Sequence, residues 1–149
     1  MATSTLIQFL AEGEEAATSH RRQIETFIAS AGITAGDWVQ FDTGATDADR
    51  ALKVTNDANT FGTGNPLIVG VALDTVAAGE QIRVVVSGYA EGANVAAAVA
   101  AAGVPLVVDN TAAGRAVAIA AADIAPACGV SLEAAAAGNT CDVWVFKRF

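Results

Sequence analysis

Residues 70–79 read GVALDTVAAG and residues 129–138 read GVSLEAAAAG. Aligned at a constant offset of 59, the stretches 70–86 and 129–145 share Gly, Val, Leu, Ala-Ala-Gly and two later valines. Ala-Ala-Gly recurs at 77–79, 101–103, 112–114 and 136–138. Reading the first copy as a hairpin with the loop Val76-Ala77-Ala78-Gly79 sets Thr75 against Glu80. The inward pairs are then Leu73–Ile82, Val71–Val84 and Val69–Val86, all apolar, while Asp74–Gln81 and Ala72–Arg83 form a solvated face. A one-residue slip would set Arg83 opposite Leu73, so the alternation predicts the unslipped register. The second copy gives Leu132–Cys141, Val130–Val143 and Cys128–Val145 around Ala135-Ala136-Ala137-Gly138. Four-residue loops are mostly built on a type I turn, and a closing glycine takes the left-handed conformation without steric cost. The tripeptide is therefore a turn device.

Working outward, strands are predicted at Leu67–Leu73, Ile82–Ser87, Leu106–Val108, Ala116–Ile119 and Asp142–Phe146. Alternation of Ile24, Thr26 and Ile28 favours a strand over 23–29, and Trp38–Phe41 reads as another after the turn Ala35-Gly36-Asp37. Val95–Ala102 is bracketed by Gly92 and Gly103 too closely for a stable helix and reads as strand plus loop. A looser echo relates Val39–Thr43 and Arg50-Ala51 to Val107–Asn110 and Arg115-Ala116. The expectation is an all-β fold: a small antiparallel β-barrel or sandwich with two related hairpin-containing halves. Residues 1–22 read as an N-terminal arm and 23–149 as a single domain.

The 149 residues suffice for one core, and 53% are hydrophobic, but only 6% are aromatic and nearly a quarter are alanine. Small side chains bury little area each, which favours subunits that share surface. Net charge is −8; a nucleic-acid binder needs a basic stripe, and the only basic clusters are His20-Arg21-Arg22 and Lys147-Arg148. Neither nucleic acid nor membrane is an expected partner. The N-terminus lacks the basic and apolar regions of a signal peptide, so synthesis in the cytoplasm without export is expected. One histidine and two cysteines rule out an ordinary structural zinc site. Cys128 and Cys141 share a face with cross-strand partners four residues apart, too far for a disulfide, so two buried free thiols are expected.

The sharpest catalytic motif is Phe41-Asp42-Thr43-Gly44-Ala45, which resembles the active-site segment of retroviral-type aspartic proteases, with Gly114-Arg115 resembling that family's later Gly-Arg. Such homodimeric enzymes share one proton between two aspartates. Against this, Gln40 stands where that family is apolar, Asp47 and Asp49 follow at once, and Asp-Thr-Gly is a common turn. The Asp42, Asp47, Asp49 run lacks the spacing and glycine of a calcium loop. Gly62-Thr63-Gly64 lacks the third glycine of a dinucleotide loop. No catalytic residue, cofactor or metal is expected.

A wider resemblance is carried by Gly70–Leu73, Ala77–Glu80, Val84–Glu91, Ala101–Leu106, Ala113–Val117 and Gly129–Glu133. Over about residues 35–149 the chain resembles the capsid decoration, or cement, proteins of tailed bacteriophages. That resemblance implies a β-barrel or sandwich with an N-terminal arm, commonly trimeric, bound to the major capsid protein outside a phage head, and no enzyme. A ligand-binding or tail-fibre module and the Asp42 protease are the alternative functions. Interface candidates are Leu6, Phe9, Arg21 and Arg22 in the arm, and Trp144 and Phe146, which the last strand turns outward.

Overall fold

The computed structural model describes residues 22–57, 66–119 and 127–147. Among them the regular structure is nine strands and one short 3-10 helix at Asp47–Ala51, with no α-helix. The strands are β1 (Arg22–Ala29), β2 (Trp38–Phe41), β3 (Lys53–Thr55), β4 (Ile68–Ala72), β5 (Gln81–Asn94), β6 (Pro105–Val108), β7 (Ala116–Ala118), β8 (Gly129–Ser131) and β9 (Thr140–Val145). Alignment of elements with the expected strands is close. β3 lies outside the expected strands, β5 runs on past Ser87, where the glycines at 88 and 92 resemble strand ends, and Val95–Ala102 carries two isolated bridges and no strand. Both glycines have positive φ and bend the strand without ending it.

β5 is the axis of the molecule. Its first half pairs with β4 and β1, and β1–β3–β2–β4 completes a closed five-strand ring. Its second half pairs with β9, and β9–β8–β6–β7 comes back beside its end through one isolated parallel bridge between Val95, just past β5, and Ala116. The chain is thus two small barrels in tandem, joined along one shared strand. Arg22 and Val145 flank Gly88 from opposite sides, and Lys147 Nζ donates to Gln23 Oε1 at 2.9 Å, so the outer ends of β1 and β9 meet mid-β5.

The two related halves are therefore a closed ring and a second one that a single isolated bridge completes, and many of their hydrogen bonds correspond. Gly36 N–H donates to Ala72 O and Ala72 N–H to Asp37 O; Gly103 N–H donates to Ser131 O and Ser131 N–H to Val104 O. Ala29 N–H reaches Glu80 O as Val95 N–H reaches Asn139 O, and the bridge Ile33–Val76 matches Val99–Ala135. The parallel pair Ala29–Val54 matches Val95–Ala116. The same correspondence puts Lys53, and not Arg50, in the place of Arg115: Asp42 N–H donates to Lys53 O as Asp109 N–H donates to Arg115 O.

Both hairpin registers differ from the expected ones by a single residue. Val71 pairs with Val85 and Ala72 with Val84; Val130 pairs with Trp144 and Ser131 with Val143. Alternation failed because β4 has no solvated face: all five of its residues are buried, Ala72 in the first barrel and Val71 against the second. Leu73 N–H donates to Arg83 O at 2.9 Å, the juxtaposition the slip argument disfavoured. It is harmless because the guanidinium turns to Asp74, donating from Nη2 to Oδ1 at 2.6 Å and from Nε to Oδ2 at 3.0 Å. The Ala-Ala-Gly reading holds in a different turn class. Glu80 N–H closes on Ala77 O, Arg115 N–H on Ala112 O and Asn139 N–H on Ala136 O. Gly79, Gly114 and Gly138, at the third position, have φ of 88°, 68° and 77°, as a type II turn requires.

Two apolar clusters follow. Phe27, Ile33, Val39, Val54, Ile82 and Val84 fill the first barrel, with Phe41 edge-on to Phe27 at a centroid distance of 6.1 Å. In the second barrel several of the corresponding places carry smaller side chains: Ala93 for Phe27, Val108 for Phe41, Ala116 for Val54 and Cys141 for Ile82. Trp38, from a strand of the first barrel, joins this second cluster, its Cη2 lying 3.0 Å from where a Cβ on Gly129 would sit. Cys128 and Cys141 are buried here as free thiols, and burial raises the Cys141 pKa. Ser131 is buried too; its hydroxyl donates to Ala101 O at 2.8 Å and accepts from Val104 N–H at 3.0 Å.

Candidate interaction surface

Cross-strand pairing lays out one continuous row on the outside of each barrel. In the first, Ile24, Val85, Val71 and Trp38 lie abreast on β1, β5, β4 and β2. In the second, Tyr89, Trp144, Val130 and Pro105 lie abreast on β5, β9, β8 and β6. Val85, Val71 and Trp38 are 0%, 0% and 1% exposed, because they pack into the second cluster. Their counterparts stand open: Trp144 is 37% exposed, Pro105 is exposed and Val130 half-buried. Phe146 and Leu132, at 42% and 43%, extend the apolar surface along β9 and beyond β8.

Acidic groups stand at one end of this surface. Tyr89 Oη donates to Asp142 Oδ2 at 2.8 Å, Gly92 N–H to Asp142 Oδ1 at 3.0 Å, and Asp142 N–H to Glu133 Oε1 at 3.0 Å. The bond to Asp142 comes first in pushing the Tyr89 phenol up to about 12, with burial and the negative charges of Asp142, Glu91 and Glu133 adding to it. In the first barrel the equivalent pair is Asp74 and Arg83, an ion pair 2.6 Å long, in which the arginine holds the Asp74 carboxyl below its usual range. A balanced edge has become an acidic one.

Of the residues expected at an interface, Trp144 and Phe146 do point outward, and the row adds Tyr89, Val130, Leu132 and Pro105 to them. Val130 and Leu132 were expected inside; the one-residue register slip turns both out. Arg22 begins β1 opposite Gly88, half-buried with its Nε enclosed, and so is not a free surface cation. Leu6, Phe9 and Arg21 lie outside the described residues. The clue available in the sequence was the repeat itself: where copy one has Val85 and Ser87, copy two has Trp144 and Phe146.

The remaining polar features bind the fold to itself. Asp37 is 7% exposed at the joint of the barrels. It accepts from Thr34 N–H at 3.0 Å, Asn56 Nδ2 at 2.8 Å and Asn94 Nδ2 at 2.9 Å. Asp42 accepts from Gly44 N–H at 2.8 Å and Ser30 Oγ at 2.6 Å. Asp109, its counterpart, accepts from Thr111 N–H at 3.0 Å in the same way. The protease-like motif is one of two copies of an Asx turn, each closing the same strand end. Among the described residues, no three His, Cys, Asp or Glu side chains group as a metal site.

No family model matches the chain, and no curated protein matches it. Among solved structures, it is similar to the N base of head fiber gp8.5 of bacteriophage phi29. The two share 14% identity at a TM-score of 0.56, over 84% of this chain and 94% of that one. At that identity, the likeness is one of fold.

Proposed function

We propose that this chain is a structural protein of a phage head, bound to the major capsid protein on the outside of the lattice and stabilising it as a homotrimer. It performs no chemistry. The observation that carries this reading is the likeness to a head-fibre base across 94% of that chain, in agreement with the resemblance of residues 35–149 to head-decoration proteins. Charge and composition support it. A net charge of −8 disfavours sticking to packaged or released DNA, and weak contacts repeated over a lattice hold firmly because each further one is intramolecular. An aspartic protease gains nothing from Asp42, whose Oδ1 closes a turn that Asp109 repeats and whose Oδ2 accepts from Ser30.

The test is co-sedimentation with undecorated heads. Binding at a fixed ratio per capsomer that saturates, and that survives Asp42→Asn, is the expected result. A chain that stays in the supernatant at every concentration, or whose only detectable activity is peptide cleavage lost in Asp42→Asn, would overturn the reading.

A further inference from the structure

The two barrels share their bonding pattern but not the fate of their outward rows. In the first barrel Val85, Val71 and Trp38 of the row are covered, Ile24 at its end being 40% exposed, and what covers them is the other barrel. Where the same row recurs as Tyr89–Trp144–Val130–Pro105, nothing of this chain among the described residues covers it, yet it is more aromatic than its buried twin. We infer that a second copy of this chain packs on that row, with Trp144 at its centre and Leu132 and Phe146 beside it. The inference deepens the proposed association by naming its surface, and it can fail while head binding stands.

Three observations favour this occupant. First, the position of the row on this fold is already a barrel-packing face, so the contact continues one that the molecule makes within itself. Second, the row crosses four strands, roughly 14 Å at about 4.8 Å per strand, and half of its residues are aromatic, a type enriched in the cores of interfaces. Third, a copy cannot repeat the internal joint head to tail. That joint sets Trp38 against Gly129, in one cluster with small residues such as Ala93, Ala116 and Cys141, whereas the first barrel of a neighbour is filled by Phe27, Phe41 and Ile82. The rows of neighbouring copies must therefore face one another about a common axis, as three can in the proposed trimer, and the assembly closes instead of growing into a filament.

Charge supplies the discriminating sign. Each copy carries a net charge of −8, with Glu91, Glu133 and Asp142 beside the row, so two copies repel one another. Salt screens that repulsion and should strengthen self-association, whereas a basic partner would be released by it. Sedimentation velocity of the full chain, over two decades of concentration at low and high salt, is expected to show an oligomer favoured by both. Val130→Glu with Trp144→Glu should leave a monomer with an unchanged far-ultraviolet spectrum. As a second measurement, Trp38→Phe leaves Trp144 as the sole indole; its emission should shift to the blue, and its acrylamide quenching fall, as concentration rises. A wild-type chain that is monomeric throughout would overturn the inference. So would association that salt weakens, an oligomer that survives the double substitution, or a Trp38→Phe chain whose Trp144 stays equally quenchable as it associates.

Discussion

Trp38 fills space that the second barrel does not fill for itself. It is 1% exposed and belongs by chain to one barrel and by packing to the other, against Gly129. Truncation to alanine would open a cavity between them, at a cost of about 3–5 kcal/mol. Its buried Nε1 has no hydrogen-bond partner among the described residues, so Trp38→Phe gives up shape but no bond and should cost only about 1–2 kcal/mol. Urea unfolding of both variants checks the contrast; equal losses would mean that the indole N–H matters after all. The residue was legible in the sequence only as a strand member. Its role depends on the small lining at Ala93, Ala116 and Cys141, more than fifty residues away, and no local pattern announces that. Asp37 read merely as a turn residue for the same reason: Asn56 and Asn94, its partners, arrive from other elements.

At the level of elements, the strands were readable because valine runs and turn glycines are local signals. Register was not, because alternation specifies it only where one face meets water, and β4 meets water on neither. The repeated glycines sort by this logic. A Cβ on Gly70 would run into the Val85 carbonyl of the paired strand, whereas one on Gly79 would meet nothing within 4 Å. Gly79→Ala therefore carries only the left-handed backbone cost at φ +88°, about 1–2 kcal/mol. Gly70→Ala must part β4 from β5 and should cost more than about 3 kcal/mol. Thermal unfolding of the two variants checks the order. A Gly70→Ala protein as stable as Gly79→Ala would refute the close approach of the Val85 carbonyl to Gly70.

For the whole molecule, two barrels behave as one only if the joint is strong. β5 runs through both, and Asp37 draws Asn56 and Asn94 onto the turn that carries Trp38. Removing the carboxylate in Asp37→Ala leaves two half-buried amides without it, at a cost of about 2–3 kcal/mol. In wild type, Trp38 fluorescence and far-ultraviolet signal should be lost together in denaturant, as in a two-state transition; in Asp37→Ala the fluorescence change should come first. Coincident curves in the variant would mean that β5 alone holds the pair together. The duplication was legible from residues 70–86 and 129–145, but the closing of each copy into a ring was not, since it depends on the parallel contacts Ala29–Val54 and Val95–Ala116, which no sequence alternation reports. The meeting of β1 and β9 at Gly88 has a mechanical consequence. Tension between residues 22 and 147 would load both strands at the same place, the middle of β5, and peel them away one hydrogen bond after another instead of shearing them all at once. Such a molecule is weak as a link pulled from end to end and is suited to being held by its faces.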